Sequence, residues 1–253
     1  MPQKGFVLLS GGIDSTTCLH IAMRDCDDVE AISVDYGQRH KKEFEYGNKT
    51  CKAHGIPHTL LNIGGILAGE GVMLTDKQVK IPDISYSDIK GVSPTYVPFR
   101  NGTLLAMITA YAQKWVSKQI EEVYMRRSPE GKTGFCNKEQ ATGLAKDVAG
   151  IYFGPHAEDA AGWAYPDCTN EFTGAMANAI YTGTYYTVRL FTPLQWLNKA
   201  DIITLGTKLG VDWRNTWSCY AGEDLHCGTC PTCRARKEGF KKAGVTDPTE
   251  YAK

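Results

Sequence analysis

Several things are missing from this 253-residue sequence, and each absence removes a class of function. It has no net charge, with 28 lysines and arginines against 28 aspartates and glutamates. Proteins that grip nucleic acid usually carry a clear basic excess, so no nucleic-acid partner is expected. No apolar run approaches the roughly 20 residues that cross a bilayer, which leaves no membrane partner either. The opening stretch, Met1 to Gly12, offers one lysine and a five-residue apolar segment, too short for the core of a signal peptide. The expected address is cytoplasmic, where thiols stay reduced. The nine cysteines are therefore read as thiols or metal ligands before disulfides. Internal repeats and low-complexity tracts are absent, and so is a Walker phosphate loop. The one Gly-Lys-Thr, Gly131 to Thr133, has Arg126 where the leading glycine belongs and no strand before it.

What is there reads as alternating strands and helices. Gly5 to Leu9 is a continuous apolar run, as expected of a central parallel strand. A helix follows from Asp14 to Met23, then a strand from Glu30 to Val34. A second helix spans Lys41 to His54 and is stopped by Gly55, with Pro57 just beyond. Thr59 to Ile63 is a third strand. Residues 64–99 lose all periodicity, and order returns with a helix from Thr103 to Trp115. Ile151 to Phe153 is a fourth strand, followed by a helix from Glu171 to Tyr181 and a β-rich run ending at Pro193. Asn198 caps a last helix to Leu209. This alternation predicts an α/β fold with a doubly wound parallel sheet, Rossmann-like in its winding. Such sheets bind ligands at the carboxyl ends of their strands. The expected organisation is one catalytic domain over 1–210 and a small C-terminal region over 211–253.

The junction after the first strand carries the strongest chemistry. Leu8 and Leu9 lead into Ser10, Gly11, Gly12, Ile13, Asp14, Ser15 and Thr16. The glycines let backbone approach an anion, the hydroxyls donate, and a helix N-terminus adds unpaired N–H groups and partial positive charge. Asp14 is out of place beside phosphate unless a divalent cation bridges them, so Mg²⁺ is implied. A Ser-Gly-Gly-x-Asp-Ser loop at the first strand–helix junction resembles the PP-loop of ATP pyrophosphatases. The resemblance implies that these residues, with Asp35 after the second strand, bind ATP. Attack at the α-phosphorus would then release pyrophosphate.

Near the C-terminus Cys219, Cys227, Cys230 and Cys233 are spaced C-x₇-C-x₂-C-x₂-C. Four thiolates at such spacing fill a tetrahedron around Zn²⁺, which makes the site closed and structural. Arg234 and Arg236 stand close enough in sequence to offset the charge of a zinc tetrathiolate.

Three further stretches narrow the reading. "DYGQRH" (Asp35 to His40) follows the second strand, "YVPFRNGTLL" (Tyr96 to Leu105) opens the third helix, and "GPHAEDAAGWAYPDC" (Gly154 to Cys168) follows the fourth strand. In this order, with the cysteine cluster, they resemble the QueC family of 7-cyano-7-deazaguanine synthases, over about residues 5–116 and 148–248. The resemblance implies a ligase that converts 7-carboxy-7-deazaguanine, ammonia and ATP to a nitrile by way of an adenylate and an amide, and a homodimer. It implies substrate or catalytic roles for Tyr36, Gln38, Arg39, Arg100, Asn101, His156, Glu158, Asp159, Asp167 and Lys199. Arg100 either holds the substrate carboxylate or pairs with a nearby aspartate. Asn101 either reads a base edge or caps its helix. His156, Glu158 and Asp159 handle Mg²⁺ or ammonia, or form a plain loop network. Lys199 reaches phosphate or lies in solvent, and Cys168 lines the pocket. The departure from the family is a polar segment from about Ser117 to Lys146, read as an insertion. Alternatives are a related ligase stopping at the amide, a PP-loop tRNA-thiolating enzyme, and a catalytically dead nucleotide-binding module.

Overall fold

A computed structural model of the chain describes residues 2–76, 78–81, 83, 90–127, 148–221 and 224–253. Five parallel strands form the sheet: β1 Lys4–Leu8, β2 Asp28–Asp35, β3 His58–Asn62, β4 Ala149–Tyr152 and β5 Val188–Phe191. Their order is β3-β2-β1-β4-β5. In β1, Phe6 and Val7 point to opposite faces and both are fully buried, because helices cover the sheet on both sides. The Val7 face, with Leu9, packs against α1 (Ile13–Asp25) and helices late in the chain, α6 (Lys199–Lys208) and α7 (Pro231–Ala243). The Phe6 face, with Ile32 and Ile151, packs against α3 (Arg100–Arg127) and α5 (Asn170–Gly183). α2 (Lys42–His54) joins β2 to β3, and a single turn, α4 (Ala157–Ala160), follows β4.

The local signals explain most of these boundaries. Gly55 ends α2 in the left-handed conformation, φ +66°. Asn198 and Asp201 form a reciprocal capping box at the start of α6. Two elements differ from the sequence reading. α3 runs to Arg127, twelve residues past the expected end at Trp115, so the first part of the supposed insertion continues a helix; the remainder of that segment, 128–146, lies outside the described residues. α7 was not anticipated, because its sequence PTCRARKEGFKKA sets a cysteine among six charged residues along a helix.

The order of strand addition reverses between β1 and β4, which pair in parallel from Lys4 opposite Ala149 to Val7 opposite Tyr152. Their carboxyl ends diverge into helices on opposite faces and leave a crevice there. Segment 211–253 folds back onto this crevice: Val211, Trp213 and Phe240 share the core of α1 and β1. Among the described residues, no helix is long and apolar enough to cross a membrane.

Candidate active site

The loop between β1 and α1 forms the floor of the crevice. Gly11 holds φ +89°, and a Cβ there would lie 2.1 Å from the backbone oxygen of Glu43 in α2. Only glycine lets α2 rest on the loop this closely. Gly12 caps α1 and contributes no side-chain hydrogen bond to the first turn, so the first N–H groups of α1 remain open to an anion. Ser10 and Ser15 brace the turn: the Ser10 N–H donates to Ser15 Oγ (3.1 Å), and the two hydroxyls lie 3.0 Å apart. Thr16 is buried, and its Oγ1 has no hydrogen-bond partner.

Across the loop stands a cationic cluster. The capping box fixes the first residue of α6, Lys199, and its stem lies flat against α7, where a Cβ on Gly239 would come within 2.6 Å of Lys199 Cγ. Lys199 Nζ donates to both oxygens of Asp14 at 2.7 Å and to His156 Nε2 at 2.9 Å. The other ring nitrogen, His156 Nδ1, is buried without a partner. Asp159 Oδ2 lies 3.2 Å from the same Nε2. Burial pushes the Asp14 carboxyl up, but Lys199 and His156 outweigh it and hold the group below the usual carboxylate range.

The crevice encloses a cavity of about 230 Å³. Of the residues expected at the site, Leu8, Leu9, Ser10, Gly12, Ile13, Asp14, Ser15, Tyr36, Gln38, Arg100, Asn101, His156, Asp159 and Lys199 line it. Gly11 and Thr16 stand behind the loop. Asp35 faces away, accepting from Lys41 Nζ at 2.7 Å and the Gly37 N–H at 3.0 Å. Arg39 ties down the long loop by donating to the backbone oxygens of Met73 and Asp76, both at 3.4 Å. Glu158 is not on the wall. Asp167 is buried beneath it, accepting the Asn101 N–H at 2.9 Å. Asn101 is therefore not a helix cap: it is the second residue of α3, and its Nδ2 donates to the Asp167 carbonyl and to Cys168 Sγ, each at 3.3 Å. Arg100 meets Asn101 Oδ1 at 3.2 Å and the Tyr36 hydroxyl at 3.5 Å. Among the described residues it forms no ion pair within 4.0 Å, so the expected aspartate partner is not the one it meets.

The wall also holds residues that sequence reasoning missed, including His40, Glu43, Trp217, Ser218 and Tyr220. His40 closes the motif "DYGQRH", but Glu43 carries no local signal. It reaches the cavity because α2 lies across Gly11, and that contact is tertiary. The aromatic ring of Trp217 reaches it because the Trp217 N–H donates to the Gly11 carbonyl at 2.9 Å.

Behind that wall the Sγ atoms of Cys219, Cys227, Cys230 and Cys233 all lie within 4.8 Å of one another. Cys219 and Cys230 are 4.0 Å apart, as are Cys227 and Cys233. A metal with bonds of about 2.3 Å to four sulfurs would give edges of about 3.8 Å, so the spacing of the four sulfurs is compatible with a tetrahedral metal site. The N–H groups of Cys227 and Cys230 donate to neighbouring sulfurs at 3.3 Å, orienting them as ligands. His226 is not among the ligands; its Nε2 accepts the Ser218 N–H. The two arginines bond elsewhere, Arg236 to Asp247 and Thr216, Arg234 to Asp83 and the Thr229 carbonyl.

The family model described as queuosine biosynthesis protein QueC matches residues 4–131 and 139–244. The unmatched gap, 132–138, is shorter than the 117–146 segment that the sequence suggested as inserted. The chain is 36% identical to the 7-cyano-7-deazaguanine synthase of Thermoplasma volcanium, covering 100% of this chain and 92% of that protein. It is 36% identical to that of Caldicellulosiruptor bescii (98% and 97%) and 34% identical to that of Alteromonas mediterranea (99% and 100%). Among solved structures, the U34-tRNA thiolase NcsA from Methanococcus maripaludis aligns over 100% of this chain and 75% of that one, with a TM-score of 0.42 and 14% identity, too loose a likeness to weigh. With the phosphate loop, the crevice residues and the four-cysteine cluster all inside the matched stretches, the chain belongs to the QueC family.

Proposed function

We propose that this cavity is where the chain, like the relatives named for it, makes 7-cyano-7-deazaguanine, starting from 7-carboxy-7-deazaguanine, ammonia and ATP. One observation carries the assignment of parts. A single cavity holds a phosphate-type loop at one side and, at another, an arginine with no carboxylate partner among the described residues. The pocket is thus built for two anions, a nucleotide phosphate and a substrate carboxylate, which a carboxylate-activating enzyme must bring together.

The loop holds the β- and γ-phosphates, and Lys199 turns from Asp14 toward phosphate oxygen. Arg100 presents the carboxylate, whose oxygen attacks the α-phosphorus while pyrophosphate leaves. Ammonia then attacks the acyl carbon, AMP departs, and His156, beside Asp159, takes the surplus proton. In a second round the amide oxygen attacks the α-phosphorus of another ATP; loss of AMP and a proton leaves the nitrile. Asp14 and Asp159 offer the hard oxygen donors that Mg²⁺ prefers and would hold it there, where it would neutralise charge on departing pyrophosphate. The four sulfurs fit Zn²⁺, which fills all four positions with protein ligands and leaves none for chemistry. We place the enzyme in the cytoplasm as a homodimer, a reading supported by family membership.

The thiol-based alternative finds no support in the cavity. Burial pushes the thiols of Cys18 and Cys168 well above the ordinary range, with nearby carboxylates adding to it, so neither is a ready nucleophile. The test is incubation of the pure protein with 7-carboxy-7-deazaguanine, ammonia and ATP, with products resolved by mass spectrometry and nucleotides by chromatography. The expected result is the nitrile with two AMP per product. Accumulation of ADP and phosphate would overturn the adenylate route, and an amide that is not consumed would make the enzyme an amide ligase.

A further inference from the structure

Three carboxylate side chains line the cavity, and two of them are engaged. Asp14 is bound by Lys199 and Asp159 lies 3.2 Å from His156 Nε2. The third, Glu43, makes no hydrogen bond among the described residues; His40 Nε2 lies 3.5 Å from its Oε2. Its side chain is only 12% exposed, so that limited exposure is toward the cavity it lines. His40 is 4% exposed at its side chain, packs against Tyr220 with ring centroids 5.1 Å apart and tilted by 42°, and leaves Nδ1 buried without a partner. The Arg100 guanidinium acts on Glu43 electrostatically yet stands beyond ion-pair distance. An acceptor and a cation thus line one cavity without pairing with each other.

A buried acceptor of this kind selects its ligand by what it leaves unpaired. A guanine-type ring presents two adjacent N–H donors, the ring N1–H and the 2-amino group, on the edge remote from its 7-substituent. A carboxylate accepts both at once. An adenine edge presents one donor and one acceptor, which a carboxylate cannot satisfy. Resting on the functional reading above, we propose that Glu43, oriented by His40, is the specificity residue that reads the two-donor edge of the 7-deazaguanine substrate, while Arg100 holds its carboxylate. The burial that pushes the Glu43 carboxyl up to about 8 is relieved when two N–H donors arrive, so recognition and ionisation reinforce each other.

The test is Glu43→Gln in the full-length, metal-loaded enzyme, with steady-state constants measured separately for ATP and for the deazaguanine substrate. An amide presents one acceptor and one donor, and its NH₂ collides with one of the two ring donors. The expected result is a fall of roughly 10- to 100-fold in kcat/KM for the deazaguanine substrate, with the KM for ATP within about threefold of wild type. The substrate analogue lacking the 2-amino group should be poor with wild type, and Glu43→Gln should narrow the gap between the two substrates. If ATP is the substrate whose KM rises, Glu43 belongs to the adenine subsite and the proposal is wrong. Unchanged constants for both substrates overturn it equally. Failure of wild type to use the deazaguanine at all would instead refute the functional reading, so the two failures are distinguishable. Glu43→Asp, which keeps the carboxylate but withdraws it by one methylene, should retain the preference for the 2-amino substrate at reduced affinity.

Discussion

At the scale of single residues, the active site is made of charges placed where folding alone would not put them. Glu43 is the clearest case. Its ordinary carboxyl value, 4.5, is raised to about 8 by burial, with Arg100 opposing; His40 at 3.5 Å and the Tyr36 hydroxyl also face it. An acid whose value is raised on folding costs nothing while both states are protonated. The cost grows as the unfolded chain ionises above about 4.5 and is complete near 8. Glu43→Gln should therefore raise stability, and with it Tm, increasingly between these limits, by up to a few kcal/mol of unfolding free energy given about 1.4 kcal/mol per pKa unit. Thermal melts at pH 5 and pH 8 check it; an equal change at both pH values would show that the ionisation is not the cause. Asp14 works in the opposite sense. Its carboxylate is stabilised by Lys199 and His156, and Asp14→Asn removes both the anion and the cation ligand while keeping the shape. We expect kcat to fall roughly 10²-fold with KM for ATP changed only a few-fold, as for a group that acts on developing charge; a rise in KM alone would place Asp14 in ground-state binding.

At the scale of elements, the cysteine cluster and α7 act as one unit. Cys230 caps α7, Pro231 begins it, and the preceding segment delivers Trp217 and Ser218 to the cavity wall. Cys230→Ser removes one of four ligands and should cost several kcal/mol of stability, since a structural metal contributes to folding directly. Elemental analysis should find about one zinc per chain in wild type and far less in the variant, with a lower Tm. Full zinc content in the variant would assign Cys230 another role. The elements also show what could be read in advance. The strands were legible because a parallel sheet buried on both faces writes continuous apolar runs, as in Phe6 to Leu9. The phosphate loop was legible because its chemistry is local, seven consecutive residues between one strand and one helix. The second half of α3 was not, because the polar residues from Ser117 onward obscure a thin apolar stripe of Val116, Ile120 and Val123. Glu43 was not, because nothing adjacent to it in sequence announces that a glycine 32 positions earlier will bring it to the cavity.

At the scale of the whole molecule, the one internal gap in the family match is residues 132–138. Replacing those seven with a short Gly/Ser linker should shift stability by less than about 1 kcal/mol and leave turnover near wild type. A large loss of kcat with an unchanged melt would give the segment a part in the reaction. The hydrogen bond from the Trp217 N–H to the Gly11 carbonyl joins positions 206 residues apart, and it has a consequence in time. A ribosome makes the phosphate loop long before the wall that closes over it. A nascent chain released at position 210 would carry every residue of the loop and still lack its lid of Trp217, Ser218 and Tyr220. The cavity therefore closes only once the growing chain has passed Tyr220.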